Sequence, residues 1–237
     1  MDELLGPMSG DAWFGALPVE DRKLMLARAE LVRLQPGEML FRQGDAPSGF
    51  YGLASGTLKM SSLREDGREA ILAVLEAGIW FGEISLIDGA PRTHDATAVG
   101  KVEVLQLPRA AFDVLMARAH FAKAIAALLA GRIRLLYGLV EDATLRSTRA
   151  RVARRLLLLA RGDASFPSQM RPRVPVSQEE LAMMLGITRQ TLSKELRLLA
   201  DDGVIVIGYG YVEVVSETGL QRLAQGTKSG SSTSSAL

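Results

Sequence analysis

The stretch F-G-E-I-S-L-I-D-G-A-P-R-T, Phe81 to Thr93, decides how this chain is read. Gly82 has no Cβ and lets backbone come close to a ligand. Glu83 supplies an acceptor-only carboxylate, and Arg92 a planar fork suited to phosphate oxygens. Between them Ile84 and Ser85 can open a helical turn whose free N–H groups favour an anion. Asp88-Gly89 is a turn signal, and Pro91-Arg92-Thr93 ends the run with a cation and a hydroxyl. A sugar hydroxyl for the carboxylate and a phosphate for the guanidinium together describe a nucleotide with a single exposed phosphate.

Working outward, Leu34 to Leu107 is a series of short apolar stretches broken by Pro36-Gly37, Gly44-Asp45, Ser55-Gly56, Asp66-Gly67 and Ala77-Gly78. Turn signals at such intervals predict an antiparallel β sandwich or roll, with the cassette held between its strands. The thirteen-residue run then resembles the phosphate-binding cassette of cyclic-nucleotide-binding domains. Its Glu83-to-Arg92 spacing is similar to that of cAMP-dependent kinase regulatory subunits. The resemblance implies a ligand site built from Gly82, Glu83, Ile84, Ser85, Arg92 and Thr93. The plain alternative is a surface turn in which Arg92 pairs locally with Glu83.

Composition bounds the rest. The 237 residues suffice for two domains, and 48% apolar with 23% charged is a globular balance. Cysteine is absent, which excludes disulfides and thiolate metal sites. Only His94 and His120 could serve a metal or haem, so no metal is expected. Net charge is +1, so any nucleic-acid reading must rest on where charge sits. No membrane span or secretory leader is evident, and a cytoplasmic location is expected.

Asp11–Leu34 reads as helix, with Trp13 and Phe14 as packing anchors. Arg109–Asp142 reads as helix again, its long arm beginning near Phe121. Ile125, Leu128, Leu135 and Leu139 approximate a seven-residue repeat that Arg132 interrupts, which favours pairing with a second copy. The alternative is a helix buried against its own β-roll. Thr148–Arg161 is amphipathic and carries Arg149, Arg151, Arg154, Arg155 and Arg161, with Arg171 and Arg173 in the loop after it. These form a positive cluster or a solvated face.

A second motif begins at Ser177. Ser177 and Glu180 form a capping-box pattern for a helix ending at Leu185, and Gly186-Ile187 makes a tight turn. Thr188 caps a second helix running to about Ala200. Two helices joined this way make a helix-turn-helix, packed through Leu181, Leu185, Ile187, Leu192 and Leu196. That leaves Arg189, Gln190, Ser193 and Lys194 free to face outward, with Ser177 and Thr188 at the caps. Arg can grip guanine and Gln adenine in the major groove. Val204–Ile207 and Tyr211–Val215 follow as a strand pair resembling the wing of a winged helix. Gly226–Ala236 reads as a disordered tail.

The whole arrangement resembles the CRP/FNR family of bacterial transcription regulators: an α+β chain with a cyclic-nucleotide-binding β-roll over residues 11–120, a long dimerisation helix over 121–145, a winged helix-turn-helix over 146–225 and a tail at 226–237. The resemblance implies a homodimer on a two-fold symmetric double-stranded DNA operator, controlled by a small effector. It also implies contact with RNA polymerase through the Asp163–Gln169 loop. It implies no enzyme activity, and the residues show no nucleophile–base or metal-ligand arrangement. In cAMP-binding members the long helix gives hydroxyls to the base. Those places fall here at Leu136 and Tyr137, and His94-Asp95 replaces small residues after the cassette. Cyclic AMP, cyclic GMP and cyclic di-GMP therefore all stay open as effectors. Two other readings stay open too: a regulator that needs no effector, and a nucleotide-gated subunit acting on a protein partner.

Overall fold

The computed structural model describes Met8 and residues 11–63, 67, 69–162 and 170–225. The helical reading of Asp11–Leu34 holds up to Arg28 and fails at its end. Asp11 caps α1 (Ala12–Ala16) by accepting from Phe14 N at 2.7 Å, and Pro18 then starts α2 (Val19–Arg28). Glu30–Leu34 is a strand, β1, because it pairs antiparallel with a distant partner, from Glu30 opposite Gln106 to Leu34 opposite Val102. That long-range ladder overrides the local helical pattern.

The glycine-punctuated region forms two four-stranded antiparallel sheets. Strands β2 to β8 are Met39–Phe41, Gly49–Ser55, Thr57–Leu63, Glu69–Glu76, Trp80–Phe81, Asp95–Ala98 and Val102–Pro108. One sheet runs β1-β8-β3-β6 and the other β2-β7-β4-β5. Leu53, Leu58, Leu75, Ala96 and Val104 fill the space within the roll. Between β6 and β7 the cassette forms helix α3 (Ile84–Asp88), ended by Gly89 in the left-handed region.

A second cluster, largely aromatic, binds helices to this roll. Trp80 stacks on Phe50 and Phe14 with ring centroids 5.2 and 5.5 Å apart, and Trp13 meets Phe121 edge-on. Trp13 and Phe14 are buried, as packing anchors should be, and Trp13 Nε1 also donates to Ala124 O at 2.8 Å. Ala124 belongs to the long helix. The expected Arg109–Asp142 helix is two, α4 (Arg109–Met116) and α5 (Ala119–Leu145), meeting at 106°.

Helix α5 corrects the seven-residue repeat. Ile125 and Leu128 are buried in the protein's own core, so they cannot form a seam with another copy. Apart from Leu145 at the helix end, the large exposed apolar residues are Ile133, Leu136, Tyr137 and Val140, spaced i, i+3, i+4 and i+7 along one face. The self-burial alternative therefore holds for the first half of the helix and fails for the second.

The chain divides into two compact units, the first reaching Tyr137 and the second starting at Gly138. In the second, α6 (Thr148–Ala160) packs with α7 (Gln178–Leu185) and α8 (Arg189–Asp201) through Val152, Leu156, Leu181, Leu192, Leu196 and Leu199. The wing is β10 (Ile205–Gly208) against β11 (Tyr211–Val214), joined by a short third strand, β9 (Arg173–Val174). Helix α9 (Glu217–Ala224) was not foreseen from the sequence; Ser216 caps it by accepting from Gly219 N. The last turns of α5 fold with this unit: Asp142 is buried and takes Arg146 and Arg154, each at 2.6 Å. The tail from residue 226 and the 163–169 loop lie outside the described residues. No single described helix is long and apolar enough to cross a membrane.

Candidate functional site

Glycine is required at position 82. Its φ is +92°, and a Cβ there would stand 2.9 Å from the Tyr51 ring and 3.1 Å from Arg92 Nη1. Arg92 is 4% exposed, and its guanidinium lies 4.5 Å from the Phe41 ring centroid and donates to Gly82 O and Gly49 O, each at 2.7 Å. Burial pulls its pKa below the usual arginine value, an effect that the interaction with the Tyr51 hydroxyl and the Glu83 charge oppose. The cassette backbone is fixed as well: Arg92 N donates to Asp45 O and Gly44 N to Arg92 O, both at 2.8 Å.

Glu83 is 0% exposed, yet Arg92 is not its partner. Its Oε1 accepts from Arg132 Nη1, whose Nη2 donates to Trp80 O at 2.6 Å. The local Glu83–Arg92 pair is thus corrected: each charge is held by a different part of the fold. Within the cassette two buried atoms have no partner among the described residues, Glu83 Oε2 and Arg92 Nε. Buried polar groups are ordinarily satisfied, so both mark unused capacity in the cassette.

The remaining cassette residues divide. Ser85 is buried and its hydroxyl donates to Pro91 O at 3.2 Å, bracing the loop from inside. Ile84 is exposed, and its amide and that of Ser85 open α3, where position leaves them no helical acceptor. Thr93 is exposed, with its Oγ1 2.6 Å from His94 Nδ1. Burial lowers the His94 pKa, and the Arg92 charge lowers it further. Tyr137 is not brought to this group. It is 72% exposed, five residues beyond Arg132 and therefore about 140° around the helix from it. Arg132 was missed as a site residue. Its signal was in the sequence: a lone cation breaking an apolar face, where only a buried anion would keep it.

In the second unit the caps form as expected. Ser177 Oγ accepts from Glu180 N at 3.1 Å while Glu180 Oε2 accepts from Ser177 N at 2.8 Å, and Thr188 Oγ1 accepts from Thr191 N at 3.2 Å. Gly186 takes the left-handed turn at φ +63°. Arg189, Gln190 and Lys194 are exposed on α8, and no hydrogen bond or ion pair ties them down among the described residues. Ser193 is half-buried beside them. Arg197, which the sequence did not single out, is exposed about 20° from Gln190 and about 60° from Lys194 around the helix.

The arginine cluster of α6 is different from both readings of it. Arg149 reaches Glu195 at 3.4 Å and Asp202 at 3.5 Å, and Arg151 Nη2 donates to Leu185 O at 2.5 Å. Arg154 holds Asp142, and Arg155 is buried with Nε 3.4 Å from Met184 Sδ. All four have partners within this unit, although the Arg149 and Arg154 side chains stay 35% and 38% exposed. Among the described residues no group of three or more His, Asp or Glu could hold a metal ion.

A buried carboxylate and guanidinium on one cassette, and a helix-turn-helix with an open basic tip, match known families. The cyclic nucleotide-binding domain matches residues 31–119, and the Crp-like helix-turn-helix domain residues 150–223. A Cyclic AMP receptor protein of Thermus thermophilus is 34% identical over 220 residues, covering 92% of this chain and 99% of that protein. A CRP-like cAMP-activated global transcriptional regulator of Mycobacterium tuberculosis is 31% identical over 180 residues, 73% of this chain and 80% of its own. Among solved structures, a CRP-family transcriptional regulator, also from Thermus thermophilus, superposes with TM-score 0.66 at 28% identity, covering 82% of this chain and 96% of that one. The chain belongs to the CRP/FNR family of DNA-binding transcription regulators, and it is not an enzyme.

Proposed function

We propose that DNA binding by this regulator is controlled by a cyclic nucleotide seated on the cassette. The observation that carries this is the pair of unsatisfied buried atoms, Glu83 Oε2 and Arg92 Nε, on a loop whose first helical amides are also open. A ribose hydroxyl suits the carboxylate and a cyclic phosphate suits the guanidinium and amides. The similarity to proteins named for cyclic AMP supports the choice of ligand class. Gly82, Glu83, Ile84, Ser85, Arg92 and Thr93 form the site in this reading. Tyr137 joins it only if the helix brings it there from its exposed position.

Arg189, Gln190 and Lys194 read base edges, with Thr188, Ser193 and Ser177 fixing the helix at the backbone. The exposed face of Ile133, Leu136, Tyr137 and Val140 joins two copies, which places two reading helices on a symmetric operator. Contact with RNA polymerase and a cytoplasmic location follow from the family. A second reading, a regulator active without effector, is favoured by one contact: Arg132 already occupies Glu83.

Titration with cyclic AMP, cyclic GMP and cyclic di-GMP while following thermal unfolding separates the two readings. A true effector at 100 times its Kd adds about 2.7 kcal/mol, and Arg92→Ala abolishes the gain. No stabilisation by any of the three, together with operator binding by the free protein, would select the effector-independent reading.

A further inference from the structure

The helix that precedes the helix-turn-helix straddles it. On one side of α6, Arg151 Nη2 donates to Leu185 O, the final carbonyl of α7, which has no acceptor role left inside that helix. About 200° around the same helix, Arg149 reaches Glu195 in the middle of α8 and Asp202 at its C-cap. Glu195 and Asp202 are seven residues apart, two turns, so one guanidinium spans the trailing half of the reading helix. It also sits at that helix's C-terminal end, where a cation is favoured by the macrodipole.

Glu195 stands out by its neighbours. The outward face of α8 carries Arg189, Lys194 and Arg197, all exposed and all basic. Glu195 follows Lys194 directly and lies at the boundary between that face and the packed stripe of Leu192, Leu196 and Leu199. Its side chain is only 16% exposed while paired with Arg149. An unpaired carboxylate there would be free to swing toward the phosphates that the neighbouring cations must meet.

We propose that Arg149 is a positioning residue for DNA recognition. It holds α8 through Glu195 and Asp202 and keeps the Glu195 carboxylate turned from the duplex. Arg149 itself makes no phosphate contact. The inference rests on α8 being the reading helix, and the test below tells the failure of each apart.

The test uses the full chain with its selected operator and a scrambled duplex, measuring Kd by fluorescence anisotropy over a series of KCl concentrations. Arg149→Gln should lower the ratio of specific to non-specific affinity roughly five- to tenfold. The slope of log affinity against log salt should stay unchanged. Arg149→Lys, which keeps charge but loses the fork, should recover part of the ratio. Glu195→Gln combined with Arg149→Gln should be no worse than Arg149→Gln alone, because both changes act through one contact. A slope shallower by about 0.9 would make Arg149 a phosphate ligand and overturn the proposal. An unchanged ratio with only a lower Tm would reduce Arg149 to a fold strut and overturn it equally. Arg189→Ala is the control: if it leaves the ratio intact, the reading-helix assignment itself falls.

Discussion

The cassette and the reading helix use similar residues in opposite ways. At the cassette, Arg92 and Glu83 are buried and already engaged, the one by two carbonyls and the other by Arg132. At the tip of α8, Arg189, Gln190 and Lys194 stand in water with nothing to hold them among the described residues. The DNA-facing chemistry is therefore open before any partner arrives. The proposed nucleotide-facing chemistry is half engaged: Arg132 holds Glu83 Oε1, while Glu83 Oε2 and Arg92 Nε have no partner among the described residues. The cassette keeps its charges inside the fold, and the tip of α8 keeps its charges outside it.

That contrast can be broken by mutation, beginning where the effect is largest. Arg132→Met strands a fully buried carboxylate and should cost about 3–5 kcal/mol of stability in urea unfolding. Adding Glu83→Gln should return most of it, because the uncompensated charge is gone. If Arg132→Met alone is silent, the cassette is not internally satisfied and the contrast collapses.

Arg189→Ala should do the reverse. Unfolding should move by less than about 0.5 kcal/mol, as for other surface changes. Specific operator binding should weaken by roughly 1–3 kcal/mol in an anisotropy titration. Between these extremes lies Ser177→Ala, which removes the capping box and should lower stability by about 1 kcal/mol. Salt dependence of DNA binding should not change, since a neutral hydroxyl releases no counterion from phosphate.

The smallest effect is one of pH at His94. Its pKa in the folded chain lies below 6.5, so the unfolded chain holds more protons between the two values. Stability of the free protein contributed there is present above pH 6.5 and is lost as pH falls below it. A phosphate beside Arg92 would draw a proton back onto the imidazole, so nucleotide affinity should rise modestly from about pH 8 to about pH 6. His94→Gln should flatten that profile in calorimetry.

Much of this was legible in the sequence, for reasons tied to particular residues. Gly82, Gly89 and Gly186 take left-handed backbone that side chains resist, so they mark turns without any knowledge of tertiary contacts. Ser177 with Glu180, and Thr188, are local signals, and both caps formed where the residues called for them. What stayed hidden depends on distant partners. Glu30–Leu34 becomes a strand only because Val102–Gln106 lies beside it. Arg132 becomes a site residue only because the fold brings Glu83 and Trp80 O within reach of a helix 49 residues further on. The α6 arginines gave the most misleading signal, since a row of cations near a DNA reader looks like a phosphate surface until their internal partners are seen.

One consequence of the aromatic cluster is practical. Trp13 and Trp80 are the chain's two tryptophans, their rings lie 6.3 Å apart, and the carbonyl of Trp80 is what Arg132 holds besides Glu83. Intrinsic tryptophan emission therefore arises entirely from the aromatic cluster against which Arg132 is held. A ligand that moves Arg132 should change that emission, a response readable without dye or label.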